Sequence, residues 1–415
     1  MKLLPLALVG IGAAAGFWSG PQPPDVLILT GDIDGNIAPC GCTKPMTGGI
    51  KRRIQAAKSL AVPGRTTLLD NGNLVAGTSR QDQIKAQAIA EILGSAGWDA
   101  INLGPADAKL GLGMVLSLNS LSGGKFIASQ LGPGKDLRDF AVHPPFFVMG
   151  VAANSDALAK SLGEQITAKE KVIAEGIVQA KEAGLAPILL LQGSEDDARK
   201  IASQFPALAL IQYRSVGNPS QRPTRIGNTL LVAPGSDGKY VLRLEYSKGN
   251  FRNYSAVALS PAFKDDATAS RMYRTYLSRV SSEHLLEDLP RPLKDSYAGT
   301  ATCGTCHSKA LAVWKTSLHS HALETLERRA HDRDPECLPC HVVGLQSVHG
   351  FTSRSATPQL ANVGCESCHG AGLDHAKNPI LVKLAKVGST PCGKCHTGNT
   401  SPGFDFSTYW KKIKH

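Results

Sequence analysis

The stretch DVLILTGDIDGNIAPCGCTKPMTGGIKRR, residues 25–53, begins as an apolar run, breaks at Gly31, and then presents Asp32 and Asp34 with Cys40 and Cys42 close behind. A short run rich in Val, Leu and Ile that ends at Gly reads as a buried strand with a polar loop at its carboxyl end. The same grammar recurs downstream. TTLLDNGN (66–73), WDAINLGPAD (98–107), KFIASQL (125–131), APILLLQGS (186–194), ALALIQYRS (207–215), NTLLVAPGS (228–236) and YVLRLEYS (240–247) are all apolar runs, several ending in Asp, Asn or Gly. Helix-period segments such as RQDQIKAQAIAEIL (80–93) and EKVIAEGIVQAKEAG (170–184) lie between them. Strand and helix in alternation predict an α/β layered sandwich over residues 25–262, with its polar loops at strand ends.

The chain changes character after that. TASRMYRTYLSRVSSEHLLEDL (268–289) has helical spacing through Met272, Tyr276 and Val280, and PRPLKDSYAGT (290–300) is a proline-containing linker, so residues 263–296 read as a connecting helix and linker. His284 reads as an exposed residue of that helix. From 297 to 415 apolar runs are scarce, and a segment of that size lacks the hydrocarbon for an ordinary core.

Eight of the ten cysteines fall in four copies of one pattern: CGTCH at 303, CLPCH at 337, CESCH at 365 and CGKCH at 392. Each pair is followed at once by a histidine, although the chain holds only 12 in 415 residues. Cys-x-x-Cys-His is the attachment signature of c-type haem, in which two thiols add to the vinyl groups and the adjacent histidine reaches the iron. The expectation is four covalent haems, on Cys303 and Cys306, Cys337 and Cys340, Cys365 and Cys368, and Cys392 and Cys395, with His307, His341, His369 and His396 as proximal ligands. Zinc ribbons also use paired cysteines, but they leave four histidines unexplained. Disulfide staples would have to pair across the repeats. The porphyrins would supply the apolar volume that the segment lacks, and the predicted architecture is therefore a small, mainly α, haem-packed domain following the α/β sandwich. The five methionines all precede residue 273, so second axial ligands in this segment must come chiefly from histidine. The candidates are His319, His321, His331, His349, His375 and His415.

Taken together, YAGTATCGTCHSKALAVWKTSLHSHALETL (297–326), CLPCHVVGLQSVHGFTS (337–353), LANVGCESCHGAGLDHAKN (360–378) and PCGKCHTGNTSPGFDFSTYWKKIKH (391–415) resemble the tetrahaem cytochrome c family that accepts electrons from hydroxylamine oxidoreductase. That resemblance implies His319, His375 and His415 as distal ligands, and it implies that the haem on Cys337 and Cys340 is the one without a strong distal ligand. The loops of residues 25–262 resemble those of calcineurin-like metallophosphatases, in particular the 5'-nucleotidase branch. Here the departures fall on the ligands. Where that family has Asp-x-His, this chain has Asp32 and Asp34; where it has its bridging aspartate, Asn73; where it has Asn-His, Pro105 and Ala106. No histidine precedes His143 and none lies between it and His284, so a histidine-rich two-metal site cannot be assembled. An oxygen-only cation site from Asp32, Asp34, Asp70 and Asn73 is the alternative to loop-capping carboxylates. Cys40 and Cys42 are read either as a disulfide or as ligands for an additional metal with Asp32 and Asp34.

Residues 1–24 carry Lys2, an apolar run and small residues at cleavage spacing, and read as a signal peptide or an uncleaved anchor, which places the protein in the periplasm or otherwise outside the cytoplasm. A formal net charge of +11 is offset in part by haem propionates, and with no aromatic-interleaved basic patch it gives no reason to expect nucleic acid. Redox proteins are the expected partners, with membrane contact only through that anchor. The expected role is electron relay through four haems beside a phosphatase-like scaffold that has lost its chemistry. Two rivals are an oxidoreductase acting on a small nitrogen or oxygen species at an open-site haem, and a nucleotide phosphohydrolase.

Overall fold

The computed structural model describes residues 23–39, 46–132, 136–398 and 400–415. The 1–24 leader, but for its last two residues, and Cys40 and Cys42 lie outside the described residues. Two six-stranded sheets stack face to face. The first has the order β12 (Asn250–Ala258), β11 (Tyr240–Ser247), β1 (Asp25–Thr30), β2 (Thr66–Asp70), β3 (Ala100–Asn102) and β4 (Phe126–Ile127). The second runs β5 (Phe140–His143), β6 (Phe146–Ala152), β7 (Ala186–Gln192), β8 (Leu210–Tyr213), β10 (Thr229–Val232) and β9 (Thr224–Ile226). The centre of each sheet is parallel, β1 with β2 and β6 with β7 with β8; antiparallel pairs close three of the four edges, and β4 closes the fourth in parallel with β3.

Strand periodicity sorts the side chains of β1 between layers. Leu27 and Leu29 face the second sheet in a core with Val148, Ile188, Leu190 and Leu242. Val26 and Ile28 face outward, beneath α1 (Ile50–Leu60), α2 (Arg80–Ser95), α3 (Pro105–Ala108) and α4 (Leu112–Leu121). On the far side, α6 (Lys169–Glu182) and α7 (Glu195–Gln204) cover Met149, Val151, Leu189 and Ile211 of the second sheet, whereas α5 (Ser155–Leu162) packs Leu158 and Leu162 into the core beneath α1–α4. The result is a helix, sheet, sheet, helix sandwich. Each fully buried aliphatic side chain contributes about 1.5–3 kcal/mol, and β1 alone buries four.

Ser79 starts α2 with a reciprocal capping box to Asp82. Further on, α8 (Ala267–Ser282) is capped by Asp266 and lays Tyr273, Tyr276, Leu277 and Val280 against α1 and α2. His284 is exposed but stands just beyond the end of α8.

The remaining segment is made of short helices: α9 (Thr300–Cys306), α10 (Ser308–Lys315), α11 (Ala322–Glu327), α12 (Cys365–His369), α13 (Leu373–Lys377), α14 (Thr390–Gly393) and α15 (Phe406–Trp410). Its hydrophobic core is a small cluster around Leu323, Leu338, Val343, Phe351 and Leu360. Helices α10, α13, α14 and α15 bury no residue against protein. Protein–protein burial therefore does not account for the ordering of this segment. Among the described residues, no helix is long and apolar enough to cross a membrane.

Candidate functional site: a polar cluster and facing histidine pairs

At the carboxyl ends of β1, β2, β7 and β8 the sandwich carries a buried polar cluster. Asp32, fully buried, accepts at Oδ1 from Asn73 Nδ2, Gln192 Nε2 and Arg214 Nε, each at 3.1 Å. Arg214 also reaches Asp34 at 3.5 Å. One strand inward, Arg53 donates to Asp70 at 2.9 Å with both side chains fully buried. Gln192 further accepts from Asn73 at 2.6 Å, and Gln212 donates to the Thr30 carbonyl at 2.6 Å. Asp32, Asp34 and Asn73 all hold left-handed backbone, which Asp and Asn tolerate better than most side chains.

The cations of this cluster are guanidinium groups. Arg214 spans Asp32 and Asp34 and Arg53 takes Asp70, so these carboxylates are engaged by the chain's own cations rather than grouped around an open oxygen-only site, while the alternative with Cys40 and Cys42 lies outside the described residues. At the positions where the resemblance places histidine and a bridging aspartate the chain has Asp34, Asn73, Pro105 and Ala106. Burial pushes the Asp32 carboxyl up to about 7, and Asp107, which accepts from the backbone N–H groups of Asn73, Leu74 and Gly104, is likewise raised by burial to about 7. Sequence reading missed Arg53, Gln192, Gln212 and Arg214. Arg214 stands just past the end of β8, and no local sequence signal joins that position to the loop after β1.

The second constellation lies beyond residue 297. Three pairs of imidazole rings, each drawn from distant parts of the sequence, face one another: His307 with His375 at 6.3 Å between ring centres, His319 with His396 at 6.3 Å, and His369 with His415 at 5.9 Å. Two imidazole–metal bonds of about 2 Å each, plus the ring radii, sum to roughly 6 Å. The spacing therefore fits a metal held between each pair.

Outer partners set the ring tautomers. Nδ1 of His341 donates to the Ala322 carbonyl at 2.7 Å, that of His375 to Val382 at 2.7 Å, and that of His415 to Ile413 at 2.9 Å. His396 Nδ1 bonds the Ser401 hydroxyl at 3.1 Å. A proton fixed on Nδ1 leaves Nε2 as the donor atom, which is how ligating histidines are held. Burial lowers the pKa of His319, His341, His369 and His396, which favours the neutral, ligating form.

Four of the eight motif cysteines meet in two pairs. Cys303 hydrogen-bonds Cys365, and Cys340 hydrogen-bonds Cys395. That contact holds the Cys365 thiol down to about 6 and the Cys340 thiol down to about 7. Glu366, buried beside Cys365, accepts from the backbone N–H groups of Ala298, Gly299 and Gly372 at 2.8 Å each, so one carboxylate ties the entries to α9 and α13 to α12. Trp314 Nε1 donates to the Val363 carbonyl at 2.7 Å and sets the turn that carries His319.

Of the spare histidines, His349 is exposed and His321 pairs with Glu324 on the surface. His331 is engaged at both ring nitrogens, by Tyr273 Oη at 3.0 Å and Asp334 at 3.2 Å. His331, Asp334 and Cys337 also converge closely enough to hold a metal ion, a grouping that the sequence did not suggest. If Cys337 is consumed as a thioether, only two ligands of that group remain.

The four Cys-x-x-Cys-His motifs and the facing imidazole pairs mark a cytochrome-c-like C-terminal region that follows an α/β sandwich. A family profile described as "Cytochrome c554 and c-prime" matches residues 302–370. Among characterised proteins, cytochrome c-554 of Nitrosomonas europaea is 32% identical over an alignment of 118 positions, covering 24% of this chain and 48% of that protein. The C-type polyheme cytochrome OmcB of Geobacter sulfurreducens is 30% identical over 88 positions, covering 20% of this chain and 12% of OmcB. The chain thus spans about half or less of the length of these relatives. The sandwich resembles the 5'-nucleotidase precursor of Thermus thermophilus (TM-score 0.54, 16% identity, 74% of this chain and 67% of that one) and the Thermus thermophilus sulfate thiohydrolase SoxB (TM-score 0.52, 17% identity, 67% and 64%). At such identities the likeness is one of fold.

Proposed function

We propose that the protein is an exported tetrahaem cytochrome c that relays electrons between redox partner proteins, with the phosphoesterase-like sandwich retained as a non-hydrolytic scaffold. The observation that carries this reading is the set of three imidazole pairs at metal-spanning distance, found in the segment that also bears four Cys-x-x-Cys-His motifs. On this reading His307 and His375 hold the first iron, His369 and His415 the third, and His319 and His396 the fourth, with His341 proximal to the second. Haem supplies one-electron exchange at iron without bond making. The chain's own part is to fix ligand tautomers through Nδ1 and to keep the haems close. The Cys303–Cys365 and Cys340–Cys395 contacts bring the first attachment site beside the third and the second beside the fourth, so haems bound there would be held close, which would suit rapid transfer.

Intact mass of the exported protein tests the count. It should exceed the processed polypeptide by four haem masses, and a fully loaded protein with fewer would refute the assignment. Replacing Cys306 with Ala should weaken one attachment and leave the other three in place.

A further inference from the structure

The side chains that reach from the sandwich into the cytochrome segment converge on residues 331–336, the six residues leading into Cys337. Lys85 of α2, its side chain only 4% exposed, places Nζ 2.6 and 2.8 Å from the two carboxylate oxygens of Glu336. Gln81, one turn earlier, donates to Asp334 Oδ1 at 2.8 Å and to Tyr276 Oη at 3.0 Å. From α8, Tyr273 holds His331, whose Nδ1 lies 3.8 Å from Cys337 Sγ. The loop of the polar cluster meets the same lysine, since a Cβ placed on Gly35 would lie 3.4 Å from Lys85 Nζ.

We propose that the sandwich sets the electrostatics of the haem carried by Cys337 and Cys340, with Lys85 as the positioning residue that neutralises Glu336 beside the attachment point. This rests on the haem assignment above and adds a redox role to the scaffold. Lys85 is removed from water while the Glu336 side chain is half exposed, so the lysine's charge is the less screened of the two and is felt over several ångströms. Glu336 alone would favour the ferric state, which carries more positive charge, and would lower the reduction potential of the adjacent iron. Lys85 cancels that field. The other three attachment sites lie elsewhere in the sequence and are not flanked by this clamp, so the effect belongs to one haem in four.

The test is spectroelectrochemical titration of the full-length, fully haem-loaded protein. Lys85→Met should move one of the reduction steps to lower potential while the rest stay in place, Glu336→Gln should move the same step upward, and the double variant should return it towards the wild-type position. Unchanged steps in both single variants would overturn the proposal. So would a uniform shift of all steps in Lys85→Met, which would mark general loosening, or a single shift that the double variant fails to reverse. A wild-type protein that lacked four haems would instead count against the functional assignment, so the two failures are distinguishable.

Discussion

The polar cluster of the sandwich and the histidine pairs of the C-terminal region treat charge in opposite ways. In the first, the chain supplies its own cations: Arg53 and Arg214 sit on Asp70 and Asp32. In the second, it supplies neutral rings in facing pairs, with Nδ1 tied back to the chain, and leaves the space between them to a metal of the right size. A site filled by its own arginines is part of the fold. One lined by paired neutral imidazoles leaves room for a group that the chain does not itself supply. The difference shows how one chain can answer buried carboxylates with its own arginines in one region and set out paired uncharged rings in another.

The contrast is broken most severely at Arg53. Replacing it with Met strands the Asp70 carboxylate in a fully buried position, where loss of one partner of an ion pair costs about 3–5 kcal/mol. A fall of that size in the unfolding free energy of the sandwich, from urea denaturation followed by far-UV circular dichroism, is expected, with the histidine pairs untouched. A change below about 1 kcal/mol would show that the cluster is not part of the fold's stability.

The next effect is a pH dependence. The Asp32 carboxyl rises from 3.8 to about 7 on folding because burial penalises its charge. A folded pKa above the unfolded one means that the folded state holds the extra proton between those values. The stabilisation is therefore full below about pH 4 and is lost as pH rises to 7, at up to about 1.4 kcal/mol per pH unit. Asp32→Asn keeps an acceptor for Asn73, Gln192 and Arg214 but cannot titrate. Stability measured from pH 4.5 to 7.5 should flatten in this variant relative to the wild type, and parallel profiles would remove Asp32 as the source.

How much of this was written in the sequence depends on the kind of signal. The Cys-x-x-Cys-His repeats are local, so candidate attachment residues could be proposed from the sequence alone. The partners of His307, His369 and His396 stand 68, 46 and 77 residues away, and only the family resemblance proposed His375, His415 and His319 for them. In the sandwich, most strands were marked by apolar runs bounded with Gly or Asn. β6 was not, because all seven of its residues are buried and a continuous apolar run has no period to separate strand from helix. The edge strand β12 was hidden by its polar residues, and α1 by the Gly48 and Gly49 that precede it. Arg214 and Gln192 could not be placed in the cluster from sequence, since nothing local joins the ends of β7 and β8 to the loop after β1. The resemblance located where ligands should stand and showed that they were missing. What replaced them required three dimensions.

The smallest effect on the sandwich, and the sharpest on the cytochrome segment, is expected at His319. Its ring faces His396 at 6.3 Å, and its neighbours Ser320 and Val363 hold the turn through backbone and hydroxyl bonds that do not involve the imidazole. His319→Ala therefore removes one imidazole and little packing around the sandwich, whose unfolding free energy should stay within about 0.5 kcal/mol of wild type. The iron left with His396 alone loses its second strong-field ligand. In electron paramagnetic resonance one low-spin signal should give way to a high-spin one, and the reduced variant should bind one more equivalent of carbon monoxide than the wild type. Added imidazole should restore the low-spin signal, because it fills the place of the missing ring. Unchanged spectra would take His319 out of the ligand set and uncouple the facing of the two rings from metal binding, whereas loss of the haem itself would make the pair a requirement for loading as well as for ligation.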